Sequence, residues 1–218
     1  EMRLGCAIHG LSQSELAYQN GVDYAKTRVQ GTTLTDRTTG PVAIIEHPDV
    51  RRHLLDIRAV NEAARLLVYE AAMLCEDENE AAQDRLGLLT PVLKGVLTDY
   101  GVENAIKAQQ VWGGHGYIRD NGMEQIVRDA RIAMIYEGTN SVQAMDNPNN
   151  AGSASYDYMK MFGLVLLGLA HLRICAAPYD KTRYDNALYF MQRMIPETRF
   201  LLERIRNGSD TIMGVEFD

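Results

Sequence analysis

"VRRHLLDIRAVNEAARLLVYEAAMLC", residues 50–75, is the stretch of sequence that decides the fold class. Apolar residues recur in it every three or four positions, which is the period of one buried helical face. They are Val50, Leu54, Ile57, Ala64, Leu67, Ala71 and Leu74. "HPD" at 47–49 precedes the stripe, and Asp49 would lie near the positive end of the helix dipole. The segment therefore predicts a long amphipathic helix.

The same period recurs along most of the chain. Residues 2–28 repeat it, with an apolar face predicted at Leu4, Ile8, Leu11, Ala17 and Tyr24. Further helices are predicted over 80–111, with Pro91 at a boundary or kink, and over 123–133, 137–145, 156–176 and 181–206. Polar or glycine-containing stretches predict a loop at 31–41, a linker at 146–155 and a helix C-cap at Asn207-Gly208.

No stretch alternates with period two for long enough to predict a sheet. The predicted fold is therefore all-α. An up-and-down four-helix bundle would occupy residues 1–146, and a helical C-terminal extension would occupy residues 147–218.

Composition and charge restrict the classes of function. The formal net charge of −7 argues against a nucleic-acid surface or a polybasic membrane surface. The three cysteines are far apart and include no C-x-x-C, which indicates a reducing, cytoplasmic location. The longest apolar run, at 161–170, is about half the length that a bilayer requires, so it predicts a core helix and no membrane span. The helical period is present from the first residues of the chain, and the first residue is not an initiating Met. We therefore expect the chain to be part of a longer polypeptide.

Several kinds of site can be set aside from spacing. The histidines form no H-x-x-x-H or H-E-x-x-H pair, and no cysteine lies at ligand spacing, so no metal site is predicted. There is no G-x-S-x-G nucleophile motif. "GGHG" at 113–116 follows a predicted helix and lacks the glycine spacing or lysine of the nucleotide-binding loops.

That glycine cluster has two interpretations. A tight turn between helices is the simpler one. Alternatively, Gly113, Gly114 and Gly116 allow the backbone to approach a phosphate or a ring system, because they carry no side chain.

"RDARIAMIYEGTN", residues 128–140, contains a candidate base. If Ile132, Ile135 and Tyr136 bury one face, Glu137 lies at the rim of an apolar region. A carboxylate partly removed from water has a raised pKa and is a better base near neutral pH. The alternative is a charge in the first turn of the next helix, stabilised by its dipole.

"RVQG", residues 28–31, ends a predicted helix. Arg28 and Gln30 would ordinarily be solvated residues at a helix end. The guanidinium of Arg28 could equally bind an anionic ligand, because its geometry matches two phosphate oxygens.

Taken in order, four motifs resemble the C-terminal helical domain of acyl-CoA dehydrogenases. They are "RVQG" at 28–31, "QVWGGHGY" at 110–117, "RDAR" at 128–131 and "IYEGTN" at 135–140. Other segments are similar to the long bacterial-type enzymes, which include fatty acyl-CoA and methylmercaptopropionyl-CoA dehydrogenases.

The resemblance implies residue roles. Glu137 would remove the pro-R α-proton of an acyl-CoA thioester while a hydride passes from the β-carbon to N5 of FAD, giving the trans-2-enoyl-CoA. Tyr136 and Gly138 would contact the substrate. The implied FAD contacts, in part to the cofactor of a neighbouring subunit, are Arg28, Gln30, Gln110, Gly113, Gly114, Thr139 and Asn140.

The resemblance also implies a place in fatty-acid β-oxidation, an electron-transfer flavoprotein as electron acceptor, and a homodimer or homotetramer. The N-terminal helical domain and the middle β-domain of the family have no counterpart in these residues. By the same resemblance, we expect further helices of the long subfamily at the 146/147 junction, so this junction is either a real deletion or a place where residues are missing from the sequence. A non-catalytic helical assembly module that retains the scaffold is the alternative function. An acyl-CoA oxidase would use the same residues.

Overall fold

The computed structural model describes residues 2–33, 35, 38, 40–138 and 150–207, with only the backbone for 150–153. Its α-helices are α1 (Met2–Thr27), α2 (Pro48–Cys75), α3 (Glu80–Trp112), α4 (Met123–Ala133), α5 (Asn150–Ala176), α6 (Lys181–Arg193) and α7 (Glu197–Arg206). Short 3-10 helices lie at Ile44–Glu46, Gly113–Tyr117 and Arg119–Asn121. The only strand-like pairing among the described residues is an isolated bridge between Val29 and Ala43. The predicted all-α class is confirmed.

Helices α1 to α4 form an up-and-down bundle. The Tyr24 ring of α1 stacks on Trp112 at the end of α3, with ring centroids 4.2 Å apart, so α1 and α3 run in the same direction. Helix α2 runs the opposite way, since Ala25 near the end of α1 clusters with Leu54 near the start of α2. Helix α4 then returns along α1 and α3. This is the predicted bundle.

The closest contact in the bundle is between α1 and α3. A Cβ atom added to Gly101 would lie 2.8 Å from the carbonyl oxygen of Gly10, and one added to Gly10 would overlap the backbone of Leu97. Small residues dominate the buried face of α1, which comprises Leu4, Cys6, Ala7, Gly10, Ser14, Ala17, Gly21 and Ala25. The two backbones can approach this closely only because few side chains stand between them.

The predicted apolar face of α1 is therefore partly wrong. Leu4 and Ala17 are buried, but Leu11 and Tyr24 are only partly buried, and Ile8 is 42% exposed. The prediction gave weight to large apolar residues, whereas a close helix contact selects small ones. In α2, by contrast, the predicted stripe is buried from Leu54 to Ala71.

Helices α5 to α7 pack against the α2–α3 side of the bundle. Their buried residues join those of α2 and α3 in one apolar core, to which the extension contributes Met159, Leu164, Leu167, Ala170, Phe190, Met194 and Leu201. Tyr156 donates a hydrogen bond to the Asp99 carboxylate at 2.6 Å, and Arg204 pairs with Asp157 at 3.1 Å. The division of the chain at residue 146 stays a prediction, because residues 139–149 lie outside the described part.

Three predicted boundaries differ from the structure. Helix α5 begins at Asn150, so the second half of the predicted linker 146–155 is helical; intrinsic propensity is a weak guide where packing supports a helix. The predicted helix 181–206 is two helices, because Pro196 lacks an N–H and caps the start of α7. Pro91 lies inside α3 and does not end it, so the predicted boundary is wrong and the predicted kink stays a prediction. The predicted helix 137–145 lies outside the described residues after position 138.

Helix α5 contains the one described segment that is long and apolar enough to cross a membrane. This segment, Ala154–Ala176, has 23 residues and a mean hydropathy of 1.6. The core helix of a globular protein passes the same test. Leu164, Leu167 and Ala170 are buried in the common core, which supports the prediction of a core helix.

We expect Gly10→Ala to lower the free energy of unfolding by about 1–3 kcal/mol, because the new methyl group forces α1 and α3 apart. Gly5→Ala is the matched control on the same helix. Nothing lies within 4 Å of its Cβ position, so it should raise stability by up to about 1 kcal/mol. Urea unfolding followed by circular dichroism measures both; equal effects of the two substitutions would contradict the close contact.

His171 is a buried titratable group between α5 and α2. Its side chain is fully buried, and Nε2 donates to the carbonyl oxygen of Ala59 at 2.8 Å. The other ring nitrogen, Nδ1, has no hydrogen-bond partner among the described residues. Burial lowers the pKa of His171 below its ordinary value, because the charged imidazolium would lose its hydration.

The free energy of unfolding should consequently decrease as the pH falls through about 6.5, the ordinary pKa of histidine. Below that pH the unfolded chain binds a proton that the folded protein resists, so the unfolded state is favoured. His171→Gln retains an amide donor for Ala59 but cannot titrate, and should flatten this part of the profile. Urea unfolding between pH 5 and 8 tests this, and an unchanged slope in the variant would contradict it.

Candidate active site

The predicted site residues fall into two groups at opposite ends of α1. One group surrounds residues 134–138, which we call the base loop, near Cys6 in the second turn of α1. The other surrounds Tyr24 in its last two turns. At 1.5 Å per residue, these two positions on α1 are about 27 Å apart.

The base loop follows α4 and carries an unusual backbone conformation. Glu137 has φ +56°, which makes it the one described non-glycine residue in the left-handed region, and Gly138 has φ +83°. This conformation is ordinary for glycine and costs a residue such as glutamate about 1 kcal/mol. Surrounding contacts must therefore hold the loop.

Those contacts come from α1 on one side and α3 on the other. The Tyr136 hydroxyl lies 3.3 Å from Nδ1 of His9, and a hydrogen bond with Cys6, together with burial, raises the pKa of Tyr136 to about 12. From α3, the Lys94 ammonium donates to the carbonyl oxygen of Gly138 at 2.7 Å. The residues before and after Glu137 are thus contacted from different helices, the Tyr136 side chain from α1 and the Gly138 carbonyl group from α3.

The burial predicted for this loop is wrong. Ile132, Ile135 and Tyr136 are 50%, 46% and 38% exposed. Helix α4 turns a different face toward the bundle, formed by Met123, Ile126, Ala130 and Ala133. Glu137 is half-buried, and the apolar side chains that were predicted to form a buried face next to it are instead exposed.

At the other end, residues 28–31 leave α1 as an extended segment. The Gln30 N–H donates to Val42 at 2.9 Å, and the Ile44 N–H donates to Arg28 at 2.8 Å, which fixes the backbone. His47 Nε2 also donates to the Gln30 carbonyl oxygen at 2.8 Å. Side chains alternate along an extended segment, so Arg28 and Gln30 lie on the same side, and both are exposed.

The glycine loop, residues 113–117, forms a 3-10 helix directly after α3. Gly116 is buried, and a Cβ atom there would lie 2.8 Å from the carbonyl oxygen of Gln109, as the turn interpretation requires. Gly113 has φ +58°. Gly114 is exposed, has no atom within 4 Å of its Cβ position and needs no left-handed backbone, so packing within the described chain does not require a glycine there.

An aromatic group joins α1 to the glycine loop. The Tyr24 hydroxyl lies 2.8 Å from Nδ1 of His115, and Asn121 donates to the His115 carbonyl oxygen at 2.7 Å. Gln110 is exposed in the last turn of α3, at this same end of the bundle.

The structure therefore brings Arg28, Gln30, Gln110, Gly113 and Gly114 to one end and Tyr136, Glu137 and Gly138 to the other. Thr139 and Asn140, predicted beside them, lie outside the described residues. Exposed arginine and amide side chains beside an open glycine backbone fit a ligand that carries phosphate groups. Within the described ranges, no group of three or more His, Cys, Asp or Glu side chains could hold a metal ion.

Sequence reasoning missed several residues around the two groups. They are Cys6, His9 and Lys94 at the base loop, and Tyr24 and His115 at the glycine loop. Lys94 left a detectable signal, because it interrupts the apolar run "LLTPVLKGVL" at 88–97. A lysine inside a buried stripe requires a polar partner.

Comparison with known proteins gives relatives for both parts of the chain. The chain is 38% identical to the 3-methylmercaptopropionyl-CoA dehydrogenase of Ruegeria pomeroyi over 151 residues, which covers 66% of this chain and 26% of that protein. It is 33% identical to the caffeyl-CoA reductase–Etf complex subunit CarC of Acetobacterium woodii, covering 66% of this chain and 34% of that protein. The chain thus spans about a quarter to a third of these relatives' lengths.

A solved structure shows the same fold over nearly the whole chain. It is the acyl-CoA dehydrogenase of Bacillus anthracis complexed with FAD, with a TM-score of 0.66 and 14% identity, covering 99% of this chain and 49% of that one. Residues 130–216 match the family described as "Acetyl-CoA dehydrogenase C-terminal like". Residues 1–147 match the "Acyl-CoA dehydrogenase, C-terminal domain", and with this match over more than half of its length the chain belongs to the acyl-CoA dehydrogenase family, whose members are flavin-dependent oxidoreductases.

Proposed function

We propose that this chain carries the catalytic base of an FAD-dependent dehydrogenase that converts an acyl-CoA thioester to its trans-2-enoyl-CoA. The observation that carries the proposal is the conformation of Glu137, a non-glycine residue held at φ +56° within the motif "IYEGTN" at 135–140. Sequence similarity to acyl-CoA dehydrogenases gives the reaction class.

In this proposal the Glu137 carboxylate removes the α-proton. A proton on carbon is a weak acid, so the base must be held in contact with it and aligned. The contacts of the base loop with α1 and α3 supply that restraint. FAD, when bound, accepts the hydride that leaves the β-carbon.

Tyr136 and Gly138 are the proposed substrate contacts beside the base. Both are exposed, and Ile132 and Ile135 add apolar surface to the same region. An exposed apolar surface next to a carboxylate suits an acyl chain whose reacting carbon must lie against the base. Thr139 and Asn140 follow directly in sequence and are proposed as FAD contacts at this end.

At the opposite end, Arg28, Gln30, Gln110, Gly113 and Gly114 are the proposed contacts for the pyrophosphate and adenosine of FAD. The guanidinium of Arg28 would bind phosphate oxygens, and the open backbone at Gly114 would allow close approach. All five residues are exposed, and backbone hydrogen bonds hold Arg28 and Gln30 in place, which supports their proposed contact with the cofactor.

The separation of the two ends supports an oligomer. In one FAD the flavin ring and the pyrophosphate are joined by a ribityl chain, which is much shorter than about 27 Å. If the ring lies beside Glu137, Arg28 of the same subunit would serve another FAD. We therefore propose a homodimer or homotetramer in which subunits share cofactor sites.

Linear acyl-CoA thioesters are the proposed substrate class, with a role in fatty-acid β-oxidation in the cytoplasm. The division into a bundle over 1–146 and an extension over 147–218 is retained as part of this proposal. An electron-transfer flavoprotein is the proposed electron acceptor, supported by the relative named as part of an Etf complex.

Glu137→Gln should slow flavin bleaching by butyryl-CoA or 3-methylmercaptopropionyl-CoA by about 10²- to 10⁴-fold, because the amide cannot accept the α-proton. Stopped-flow absorbance of the flavin-loaded protein measures the rate. Glu80→Gln, the same charge change at an exposed helix start, is the control and should leave it unchanged. Bleaching of Glu137→Gln at the parental rate would refute the base assignment.

Gly114→Ala and Gly116→Ala separate the cofactor role of the glycine loop from its turn. Gly116→Ala should lower the free energy of unfolding by about 1–3 kcal/mol, because its methyl group overlaps the α3 backbone. Gly114→Ala should stay within about 0.5 kcal/mol of the parent but bind FAD more weakly. Urea unfolding and FAD titration measure the two effects, and unchanged FAD affinity in Gly114→Ala would remove that residue from the cofactor site.

A further inference from the structure

Lys94 is a fully buried lysine whose ammonium group contacts the base loop. Its side chain is 0% exposed in α3, between the buried residues Leu93 and Gly95. Burying an ammonium group is costly unless polar groups compensate for its lost hydration. At Lys94 a main-chain carbonyl does so, since Nζ donates to the oxygen of Gly138 at 2.7 Å.

The electrostatic surroundings of Lys94 point to the same loop. Burial lowers the pKa of Lys94 below its ordinary value, and the Arg3 cation acts in the same direction, while Cys6, Asp99 and Glu137 favour the charged form of Lys94. Glu137 is therefore one of the groups whose charge acts on the ammonium group. Lys94 therefore contacts the carbonyl oxygen of Gly138, the residue directly after Glu137.

The geometry of the base loop makes this contact important. Glu137 holds a left-handed backbone that glutamate does not prefer, and its two neighbours carry the contacts that fix it. Tyr136 is bound from α1 through Cys6 and His9. On the Gly138 side, the Lys94 ammonium provides the contact from α3.

We propose that Lys94 is a positioning residue for Glu137, holding the carbonyl group of Gly138, the next residue, so that the carboxylate stays directed at the substrate. This inference rests on the proposed function. Small errors in the placement of a base reduce the rate steeply, because the reacting atoms must be in near contact. Removing the ammonium should slow proton abstraction far more than it weakens binding.

Lys94→Met is the test variant, since methionine fills much of the same apolar space without charge or donor. In the flavin-loaded protein, the rate of flavin reduction by saturating butyryl-CoA should fall by about 10- to 100-fold. The FAD content and the Kd of butyryl-CoA should change by less than about threefold. Lys94→Arg, which keeps a charged donor, should recover part of the rate.

Asn104→Ala is the matched control for a lost buried polar group. Asn104 is fully buried on the same helix and donates to Ser14 at 2.8 Å, away from the base loop. It should lower stability without lowering the reduction rate per bound flavin. If Lys94→Met yields no flavoprotein, Lys94→Gln is measured by the same criteria.

A double-mutant cycle separates positioning from general structural damage. In a Glu137→Gln background, Lys94→Met should have little further effect on the reduction rate, because the two residues would act through one carboxylate. An independent structural role would give the same fold loss in both backgrounds. Additive losses, or a parental reduction rate in Lys94→Met, would overturn the proposal.

The parental protein distinguishes this inference from the proposed function. If the flavin of the parent is not bleached by any acyl-CoA tested, or if Glu137→Gln bleaches normally, the proposed function fails. If both behave as expected and only the Lys94 variants keep the parental rate, the role of Lys94 alone fails.

Discussion

The close contact between α1 and α3 is the constraint on which the rest of the structure depends. Gly10 and Gly101 let the two backbones meet almost without intervening side chains. Because the helices run in the same direction, this contact sets their register from Cys6 and Lys94 at one end to Tyr24 and Trp112 at the other. Both predicted groups of site residues are held by this pair of helices, and neither group is formed by a single segment of the chain.

The alignment of α1 with α3 brings polar side chains of both helices to the base loop. There they contact Tyr136 and Gly138, the neighbours of the unfavourable backbone conformation at Glu137. The cost of φ +56° at Glu137 is about 1 kcal/mol, which is of the same order as one of the hydrogen bonds that hold its neighbours. Glu137 adopts a backbone conformation that glutamate disfavours, and such exceptions to local preference are common at functional positions. The glycine loop is an ordinary turn after a helix. Within the described chain, no atom lies near the Cβ position of Gly114, so packing does not explain why this residue is a glycine.

The fold could be predicted from sequence where large apolar residues recur, as in α2, and the two ends of the site could be located from ordered motifs. The buried face of α1 could not, because alanine, glycine and serine carry little hydrophobic signal and their importance depends on the partner helix. Pro196 divides the last predicted helix into two. The proline could have indicated this break, but the apolar period continues across it and favoured a single helix. The partners of Tyr136 and Gly138 come from α1 and α3, more than forty residues away in sequence, so spacing could not reveal them.

The most direct test of this account is an experimental structure of the protein with FAD and an acyl-CoA bound. We expect the Glu137 carboxylate to lie about 3–3.5 Å from the α-carbon of the acyl chain, with Lys94 still bonded to the Gly138 carbonyl. We also expect Arg28 of the same subunit to contact a different FAD. A carboxylate directed away from the α-carbon, or one FAD contacted by both ends of a single chain, would contradict it.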